Sequence, residues 1–445
     1  MPRSLVVLFA VLLVDSLDAG MMVPVLPQLF TDADSPALVI AAERTGQLGM
    51  LLMAVMGAAY ALPAFFAQPL IGQLADRYGR RPLLIASFAS SALSFLLFAV
   101  GVQWGALWLL TVARVVDGIA AGNLLVAQAA VADATTEDNR TRYFGYFTAA
   151  LSMGFVLGPL LGGWLGDASA GGWRGPATAF YVAGALNCLA IAAFYFLFAE
   201  TLDDDDRDDA SESFDVLRGL RNAREAFGDD ERRPYYLTQL CYIAGYTFYM
   251  TFYAVVLTER VGMATSMTGV FFSALGVALM VTQLFVVDRV ERWLGPNKLL
   301  WVALACAGGA VAVMAFAKTE VWAFAGIVPF ALAGGLVDPL IMSLLSKTAD
   351  DDQQGRIQGV RGSVAALGMA VPPFLAGPLA ATGAASWAVL AGAAVIGVGA
   401  VIAVRFVGQE NADTEREEAD HEASEASTRG ALRRSEQVSE VEPVG

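Results

Sequence analysis

Histidine, cysteine and lysine are scarce in this chain of 445 residues. The single histidine, His421, lies in an acidic C-terminal stretch, which excludes catalytic or metal chemistry through imidazole. The three cysteines, Cys188, Cys241 and Cys306, fall inside apolar runs, so neither a disulfide nor a zinc site is expected. The sequence also lacks a nucleotide-binding loop and a nucleophile paired with a base. An enzyme, a bound cofactor and a nucleic-acid partner are therefore not expected.

Charge is scarce as well, since Asp, Glu, Lys and Arg together make up 16% of the chain. Soluble globular domains carry roughly a quarter. Hydrophobic residues make up 56%, and the mean hydropathy is +0.56. The formal net charge of -15 arises mostly from residues 203–209 and from glutamates after Gln409. An acidic exterior with so few lysines suits a salt-rich cytosol, so a halophilic origin is predicted.

Twelve apolar runs are each long enough to cross a bilayer as a helix of roughly 20 residues. They lie at 4–30, 47–70, 83–102, 106–131, 143–166, 176–199, 235–258, 266–287, 297–317, 321–345, 357–380 and 384–407. The pattern predicts an all-α membrane protein with twelve transmembrane helices in two six-helix bundles. The predicted divisions are bundles 1–199 and 235–407, an acidic linker 200–234, and a disordered acidic tail 408–445. Within the linker, residues 214–227 are predicted to form a short amphipathic helix.

The two bundles are predicted to be pseudo-symmetric, because sequence features recur at an offset of a little over two hundred residues. Asp76 and Arg77 have an echo in Asp288 and Arg289. Arginine is concentrated in alternate connections, whereas the others contain only Arg44, Arg174, Arg260 and Lys318. Positively charged loops remain cytoplasmic, so both termini are predicted to lie in the cytoplasm of a multi-pass plasma-membrane protein. A monomer in the lipid bilayer is expected.

The stretch from Ile71 to Leu84 interrupts the apolar sequence with two glycines and several charges, and it is predicted to be a tight cytoplasmic turn. Its glycines permit close approach, and its charges can form ion pairs in one conformation and release them in another. A positive-inside anchor without a gating role is the alternative. The candidate gating residues in this stretch are Gly72, Asp76, Arg77, Gly79, Arg80 and Arg81.

Ionisable residues inside the predicted spans are few, and each costs roughly 2.5 to 3.5 kcal/mol at the membrane centre. The functional candidates among them are Asp15, Asp18, Arg114, Asp117 and Asp338. Asp15 and Asp18 share a helical face because they are three residues apart, and desolvated carboxylates suit a site that loads and unloads protons. Arg114 and Asp117 form either a coupling element or a structural pair. Asp338 precedes Pro339 and is either a substrate-facing group or a helix-break cap.

The segment GQLADRYGRRP, residues 72–82, resembles the loop signature of the major facilitator superfamily between its second and third spans. Residues 114–118, RVVDG, resemble that superfamily's fourth-span arginine motif. GFVLGPLLGG, residues 154–163, resembles the fifth-span motif associated with antiporters. The first span, LVDSLDAGMMVPVLPQL at 13–29, is similar to that of tetracycline/proton antiporters in the drug-efflux branch. The resemblance implies the major facilitator fold and a tendency to antiport.

The fifth-span motif has a physical logic of its own, since glycines four residues apart allow close helix packing and a proline bends a helix. Its candidate gating residues are Gly154, Gly158, Pro159, Gly162 and Gly163. Ordinary small-residue packing is the alternative to a role in the conformational cycle.

The chain departs from the tetracycline-exporter pattern at positions that bear on substrate. Ser94 occupies the position of that group's third-span aspartate, and the ninth-span run 299–317 has no acid. The resemblance therefore does not predict tetracycline as the substrate. Aromatic residues crowd the seventh span, where Tyr246 and Tyr249 are the best candidates to line a cavity for an organic substrate. Membrane-interface belts and lipid-facing packing are the alternative.

Together these features predict a secondary transporter that exports a small amphipathic organic compound in exchange for protons by alternating access. Sodium in place of the proton is left open. The alternatives are a proton- or sodium-coupled symporter that takes up a metabolite, and a membrane receptor that does not transport. A receptor of that kind would tolerate neutralisation of every acid within the spans.

Overall fold

A computed structural model describes residues 3–32, 48–202, 217–348, 354–380 and 385–407. These residues form helices, with no strand among them, as predicted for an all-α membrane protein. The α-helices are α1 (Arg3–Phe30), α2 (Met50–Tyr78), α3 (Arg80–Trp104), α4 (Leu107–Ala120), α5 (Asn123–Asp133), α6 (Glu137–Gly166), α7 (Pro176–Leu197), α8 (Arg218–Gly228), α9 (Arg233–Val256), α10 (Thr265–Phe285), α11 (Val287–Leu294), α12 (Pro296–Met314), α13 (Glu320–Lys347), α14 (Gln354–Ala380) and α15 (Ala385–Ile402).

Eleven stretches of helix in the described residues are long and apolar enough to cross a membrane, with α4 and α5 counted together as one span. The remaining predicted run, 357–380, lies within α14. The positions of the spanning helices therefore agree with the twelve apolar runs. Helix α9 begins at Arg233, two residues before the predicted start of the second bundle.

The fourth span departs from its prediction as one continuous helix, because α4 ends at Ala120 and α5 begins at Asn123. Gly122, at the break, lies against Ile71 of α2 so closely that a Cβ there would come within 2.5 Å of the Ile71 Cβ. Tertiary packing at this point is not visible in a hydropathy pattern. A short helix, α11, was likewise not predicted, because its eight residues carry four charges and belong to no apolar run.

The stretch from Ile71 to Leu84 is not the loop that its glycines and charges predict. Helix α2 continues through Gly72 to Tyr78, and α3 begins at Arg80, so Gly79 alone makes the turn. Gly79 has φ +101°, a conformation that favours glycine. Gly72 does not mediate close approach, since no atom outside its own helix lies within 4 Å of a Cβ built there.

The helices form two halves, α1 to α7 and α9 to α15. Within the first half α1 packs on α6 and α3 on α7, and within the second α9 packs on α15 and α12 on α13. The halves contact each other mainly through α6 with α10 and through α2 with α14. We call the end of the molecule that carries residues 71–84 the motif face. The other end, where α6 ends and α10 begins, is the opposite face.

Helix α8 lies at the motif face and touches both halves. Gly219 packs near Phe65 of α2, Asn222 donates to Ser363 of α14 over 3.2 Å, and Glu225 pairs with Arg356 over 2.7 Å. The helix confirms a short amphipathic segment in the linker, at Arg218–Gly228 where 214–227 was predicted. The acidic stretch 203–216 and the predicted tail 408–445 lie outside the described residues.

Candidate functional site

A cavity of about 180 Å³ lies in the first half, and we call it the acidic cavity. Helices α1, α2, α3 and α4 form most of its wall. The polar and charged lining residues are Asp15, Asp18, Tyr60, Ser91, Arg114, Asp117 and Asn123. Four of the five ionisable residues predicted in the spans thus meet in one place, which their spacing along two separate helices could not establish.

Asp15 has an amide as its hydrogen-bond donor. The side-chain nitrogen of Asn123, at the start of α5, donates to Asp15 Oδ1 over 2.5 Å. The carbonyl oxygen of Asn123 accepts from the backbone N–H of Leu124 over 2.7 Å, which fixes the orientation of the amide. Asn123 can take this position because the chain breaks between α4 and α5. A single neutral donor leaves Asp15 free to exchange a proton or to face a cation.

Asp18 lies one turn further along α1 and is almost fully buried. It accepts a hydrogen bond from the side-chain amide of Asn187 on α7, which is itself completely buried. The two carboxylates on α1 therefore have separate amide partners from different helices.

Arg114 and Asp117 form an ion pair of 2.7 Å along α4, and each side chain is less than 15% exposed. The guanidinium carbon of Arg114 lies 4.6 Å from the centre of the Tyr60 ring, and Nε donates to the Met56 carbonyl oxygen over 3.4 Å. The pair is thus intrahelical and also lines the acidic cavity. The structural and the functional interpretation of these two residues are compatible.

A second cavity of about 180 Å³ adjoins the acidic cavity and reaches the second half. Ala19, Met22 and Arg114 line both cavities, and Met250 and Thr251 of α9 line the second one. Its wall is mostly apolar, with methionines from three helices. We call it the apolar cavity.

The tyrosines of α9 form a stack against α13. The ring of Tyr246 lies parallel to that of Phe330, with an interplanar angle of 5° and centroids 6.2 Å apart. Tyr249 contacts the same phenylalanine at 4.8 Å and is completely buried. Tyr246 is only partly buried. Of the two predicted substrate residues, Tyr246 keeps exposed surface, whereas Tyr249 belongs to the core of the second half.

Asp338 lies in the second half and outside the acidic cavity. Both of its carboxylate oxygens accept from one guanidinium nitrogen of Arg361 on α14, each over 2.6 Å. The pair joins α13 to α14. The sequence interpretation had assigned Arg361 only to the positive cytoplasmic set.

At the motif face, Arg80 is the centre of an ion-pair network. Its guanidinium pairs with Asp76 and, over 2.9 Å, with Asp133 at the end of α5. The carboxylate of Glu200 accepts from the backbone N–H groups of Arg80 and Arg81 over 2.8 and 3.1 Å, and so caps the start of α3. All these contacts lie within the first half. Asp133 and Glu200 were not predicted, because they lie at helix ends far away in sequence.

Beside this network a cavity of about 410 Å³ is lined by residues of both α2 and α14. Gly72 and Asp76 line it from the first half, and Arg356, Gly359 and Gly362 from the second. Arg77 does not line it, and Arg81 donates to the Tyr195 carbonyl oxygen over 2.5 Å. At the motif face the two halves thus share a cavity, although α2 and α14 contact each other elsewhere along their length.

The glycines of the fifth-span motif lie on α6, where three of them face α1 of the same half and Gly163 faces α10 of the other half. A Cβ at Gly154, Gly158 or Gly162 would clash with α1, and one at Gly163 would come within 3 Å of Gly269 on α10. The carbonyl oxygen of Pro159 also lies against Gly269. Four glycines and one proline therefore allow α6 to contact a helix of its own half and a helix of the other half.

The sequence model of the Major Facilitator Superfamily matches residues 8–373, and again 237–438. The first match alone covers most of the chain. The chain belongs to the Major Facilitator Superfamily.

Curated relatives of this superfamily member include the class C tetracycline resistance protein of Escherichia coli, 28% identical over 386 residues, which cover 86% of this chain and 91% of the relative. The class G protein of Vibrio anguillarum is 30% identical, over 86% of this chain and 90% of its own. Multidrug resistance protein 2 of Bacillus subtilis (strain 168) is 24% identical, over 84% and 88%. These relatives confirm the predicted resemblance to the tetracycline and multidrug resistance branch.

Solved structures agree on the fold. The human organic anion transporter TETRAN has a TM-score of 0.66 at 20% identity, covering 90% of this chain and 99% of its own. A bacterial homolog of the human lysosomal transporter Spinster, in an inward-facing and unoccupied conformation, has a TM-score of 0.69 at 15% identity, covering 90% and 95%. This superfamily member is therefore a multi-pass plasma-membrane transporter and not an enzyme.

Sequence reasoning missed Tyr60 and Asn123, which line the acidic cavity of this superfamily member, and Asn187, which donates to Asp18 from α7. Buried amides within apolar helices are the signal that was available, because an amide in a span needs a polar partner as a carboxylate does. Ser94, at the position of the missing aspartate, donates to the Ala113 carbonyl oxygen over 2.8 Å and so joins α3 to α4. Among the described residues, no group of histidines, cysteines or carboxylates is arranged to hold a metal ion.

Proposed function

We propose that this protein exports a small amphipathic organic compound in exchange for protons, by alternating access between its two halves. The acidic cavity is the observation that carries the proposal. It places three aspartates and one arginine inside one half of a membrane protein. Ionisable side chains are energetically costly in a membrane interior and usually have a function there. Drug-resistance relatives support export of a drug-like compound.

Coupling follows from competition for the acidic cavity. A proton on Asp15 removes the charge that would attract a cationic or polar group of the substrate, and departure of the proton restores that charge. Proton and substrate thus favour opposite states of one site, which is the requirement for exchange. The adjoining apolar cavity would take the apolar part of the substrate, because its methionines adapt to irregular shapes.

The glycine contact between α6 and α10 supports a role of the fifth-span motif as a seal near the opposite face. At the motif face, the network around Arg80 would act as the latch that releases and re-forms as the halves rock. We assign the motif face to the cytoplasm on the distribution of arginine. The proposed unit is a monomer with bundles 1–199 and 235–407 and a linker 200–234, from a halophilic source.

Transport by the purified protein in liposomes tests the proposal. Vesicles carry a pH-sensitive dye in the lumen, and a panel that includes tetracycline and ethidium is added. We expect one or more compounds to move protons across the membrane, and an imposed pH gradient to drive their accumulation. In Asp15→Asn vesicles the proton flux should fall roughly 5- to 150-fold, the range of typical coupling free energies.

Asp230→Asn is the matched control, because the Asp230 side chain is 87% exposed and lies outside the acidic cavity. Substrate transport that ignores the pH gradient and survives Asp15→Asn would refute proton coupling. A response to a sodium gradient alone would identify sodium as the coupling ion. Proton and substrate flux in the same direction would indicate a symporter, and retained function after neutralisation of every acid in the spans would indicate a receptor.

The latch is tested separately by Asp76→Asn. This change removes one carboxylate from Arg80, and we expect a shift towards the state that is open to the cytoplasm. Labelling of a single cysteine placed at Gly359, which lines the cavity at the motif face, would then become faster. Labelling at an unchanged rate would reduce residues 71–84 to a positive-inside anchor.

A further inference from the structure

Asp18 and Asn187 form a buried pair in which the amide orientation is determined by two acceptors. The side-chain nitrogen of Asn187 donates to Asp18 Oδ2 and to the Ala183 carbonyl oxygen, the latter over 3.0 Å. Both acceptors need an N–H, so the nitrogen of the amide and not its oxygen must occupy this position. Asp18 is 2% exposed and Asn187 is fully buried.

Two oxygen atoms of this pair have no hydrogen-bond partner within the described part of the chain. They are Oδ1 of Asp18 and Oδ1 of Asn187, and both are buried. A buried polar atom left without a partner costs about 1–3 kcal/mol, and an ionised oxygen costs more. Two such orphans on residues that are already bonded to each other need one common explanation.

We propose that Asp18 is a neutral carboxylic acid whose proton, on Oδ1, is donated to Oδ1 of Asn187. The acid and the amide then form a cyclic pair with two hydrogen bonds, one in each direction. A single proton satisfies both orphan oxygens, because a protonated carboxyl is a donor as well as an acceptor. Asn187 is a positioning residue that holds this proton in place.

The charged surroundings are consistent with this assignment. Asp15 on the same helix and Asp117 on α4 would each oppose a charge on Asp18, and Tyr60 of α2 contributes a hydroxyl. The one cation in the cavity, Arg114, pairs with Asp117. On α6, Gly154 and Gly158 lie against α1 next to Leu17, and neither carries a charge. A carboxylate at Asp18 would therefore have an amide and no cation.

Asp15 differs from Asp18 in one respect that separates their roles. The carbonyl oxygen of its amide partner Asn123 already accepts a hydrogen bond from the backbone N–H of Leu124. This oxygen therefore needs no proton from Asp15. With Asp18 neutral and Asp117 paired, Asp15 is the one carboxylate in the cavity whose charge is uncompensated. If Asp15 is the one aspartate that gains and loses a proton, one proton is exchanged in each transport cycle. This consequence rests on the proposed function.

Infrared spectroscopy of the purified protein tests the assignment without any need for transport. Protonated carboxyls absorb in a window separate from carboxylates, and labelling of aspartate with ¹³C at the side-chain carboxyl identifies the aspartic contribution. At neutral pH we expect one buried aspartic acid band that exchanges slowly in D₂O. It should vanish in Asp18→Asn, which keeps the shape of the pair, and persist in Asp15→Asn.

A second variant keeps the proposal testable if Asp18→Asn does not fold. Asn187→Leu removes both bonds to Asp18, so the carboxyl band should move to higher frequency in protein that still melts cooperatively. Absence of the band from the wild type, or its survival in Asp18→Asn, would overturn the proposal and indicate an ionised Asp18 with a bridging water or ion. A band without substrate-driven proton flux would refute the proposed function alone.

Discussion

The two halves of the molecule share one architecture but differ in what they bury. The first half encloses Asp15, Asp18, Arg114 and Asp117 around a cavity. The second half has a stack of tyrosines and phenylalanines between α9 and α13, and its Asp338 is bound on both oxygens by Arg361. The difference is the basis for the proposal that ion chemistry belongs to the first half and that the second half offers aromatic surface.

This division has a physical basis. Each charge in a membrane interior needs partners in a fixed geometry, and in the first half Asn123 donates to Asp15 while the Tyr60 ring lies against Arg114. Aromatic side chains gain mainly from contact area and need few polar partners. Tyr242 meets that need with one bond, from its hydroxyl to the Gly334 carbonyl oxygen over 2.8 Å.

The largest effect is expected when the charge of the first half is unbalanced. Arg114→Ala leaves Asp117 buried without its partner, and breaking a buried pair in this way costs about 3–5 kcal/mol. We expect a large fall in the melting temperature of the protein in detergent, together with loss of transport. Differential scanning fluorimetry and liposome flux measure the two effects.

The double variant Arg114→Gln, Asp117→Asn separates stability from function, since it replaces the charged pair with a neutral one. Melting should recover towards the wild type while coupling to protons remains impaired. If Arg114→Ala alone has the wild-type melting temperature, the ion pair of the first half does not contribute to stability. The contrast drawn between the two halves would then be wrong.

A smaller effect is expected where α6 packs on α1 within the first half. Gly154→Leu would force a side chain into the Ser16 side chain and the backbone of α1 beside Asp15, because a Cβ there already lies 2.5 Å from the Ser16 Cβ. Overpacking of this kind costs about 1–3 kcal/mol. We expect lower thermal stability and impaired transport.

Gly145→Leu is the control on the same helix, since no atom outside α6 lies within 4 Å of a Cβ at Gly145. Its free energy of unfolding should lie within a few tenths of a kcal/mol of the wild-type value. Equal losses in the two variants would mean that the motif glycines are no more constrained than any other glycine of α6.

The smallest effect is expected in the aromatic half. Tyr246→Ala removes the parallel stack on Phe330, and an aromatic pair of this kind contributes about 0.5–1.5 kcal/mol beyond its buried area. Affinity for a transported compound should therefore fall roughly two- to tenfold in a binding titration, with the proton coupling ratio unchanged. A changed coupling ratio would show that the second half takes part in ion chemistry.

Tyr249→Phe sharpens the same point. The Tyr249 hydroxyl is buried and lies 4.0 Å from the Met314 sulfur, a weak acceptor, so its removal should leave affinity and flux near wild-type values. A large loss of binding would place Tyr249 in the substrate path.

Long apolar runs predict the spanning helices well, because a bilayer demands length and hydrophobicity and little else. For the site, the sequence predicts which kinds of residue take part but not which of them lie together. Ionisable residues in spans identify Asp15, Asp18, Arg114 and Asp117, but Asp338 has the same signature and lies elsewhere. The partners Asn123, Asn187 and Glu200 depend on helix packing over a hundred or more residues, which no local pattern contains. The helical state of Gly72 was missed because a glycine-bearing charged stretch also suits a loop.

The cap that Glu200 places on α3 has a topological consequence. Nearby, the backbone N–H of Ala199 donates to the Ser4 hydroxyl over 3.2 Å, so the chain of the first half ends where it begins. The half is thus a closed ring held by non-covalent bonds, and a break in the chain between residues 203 and 216 would leave that ring complete. The first half is therefore suited to expression as a separate polypeptide, or to new termini at another turn, because neighbouring ends are what circular permutation requires.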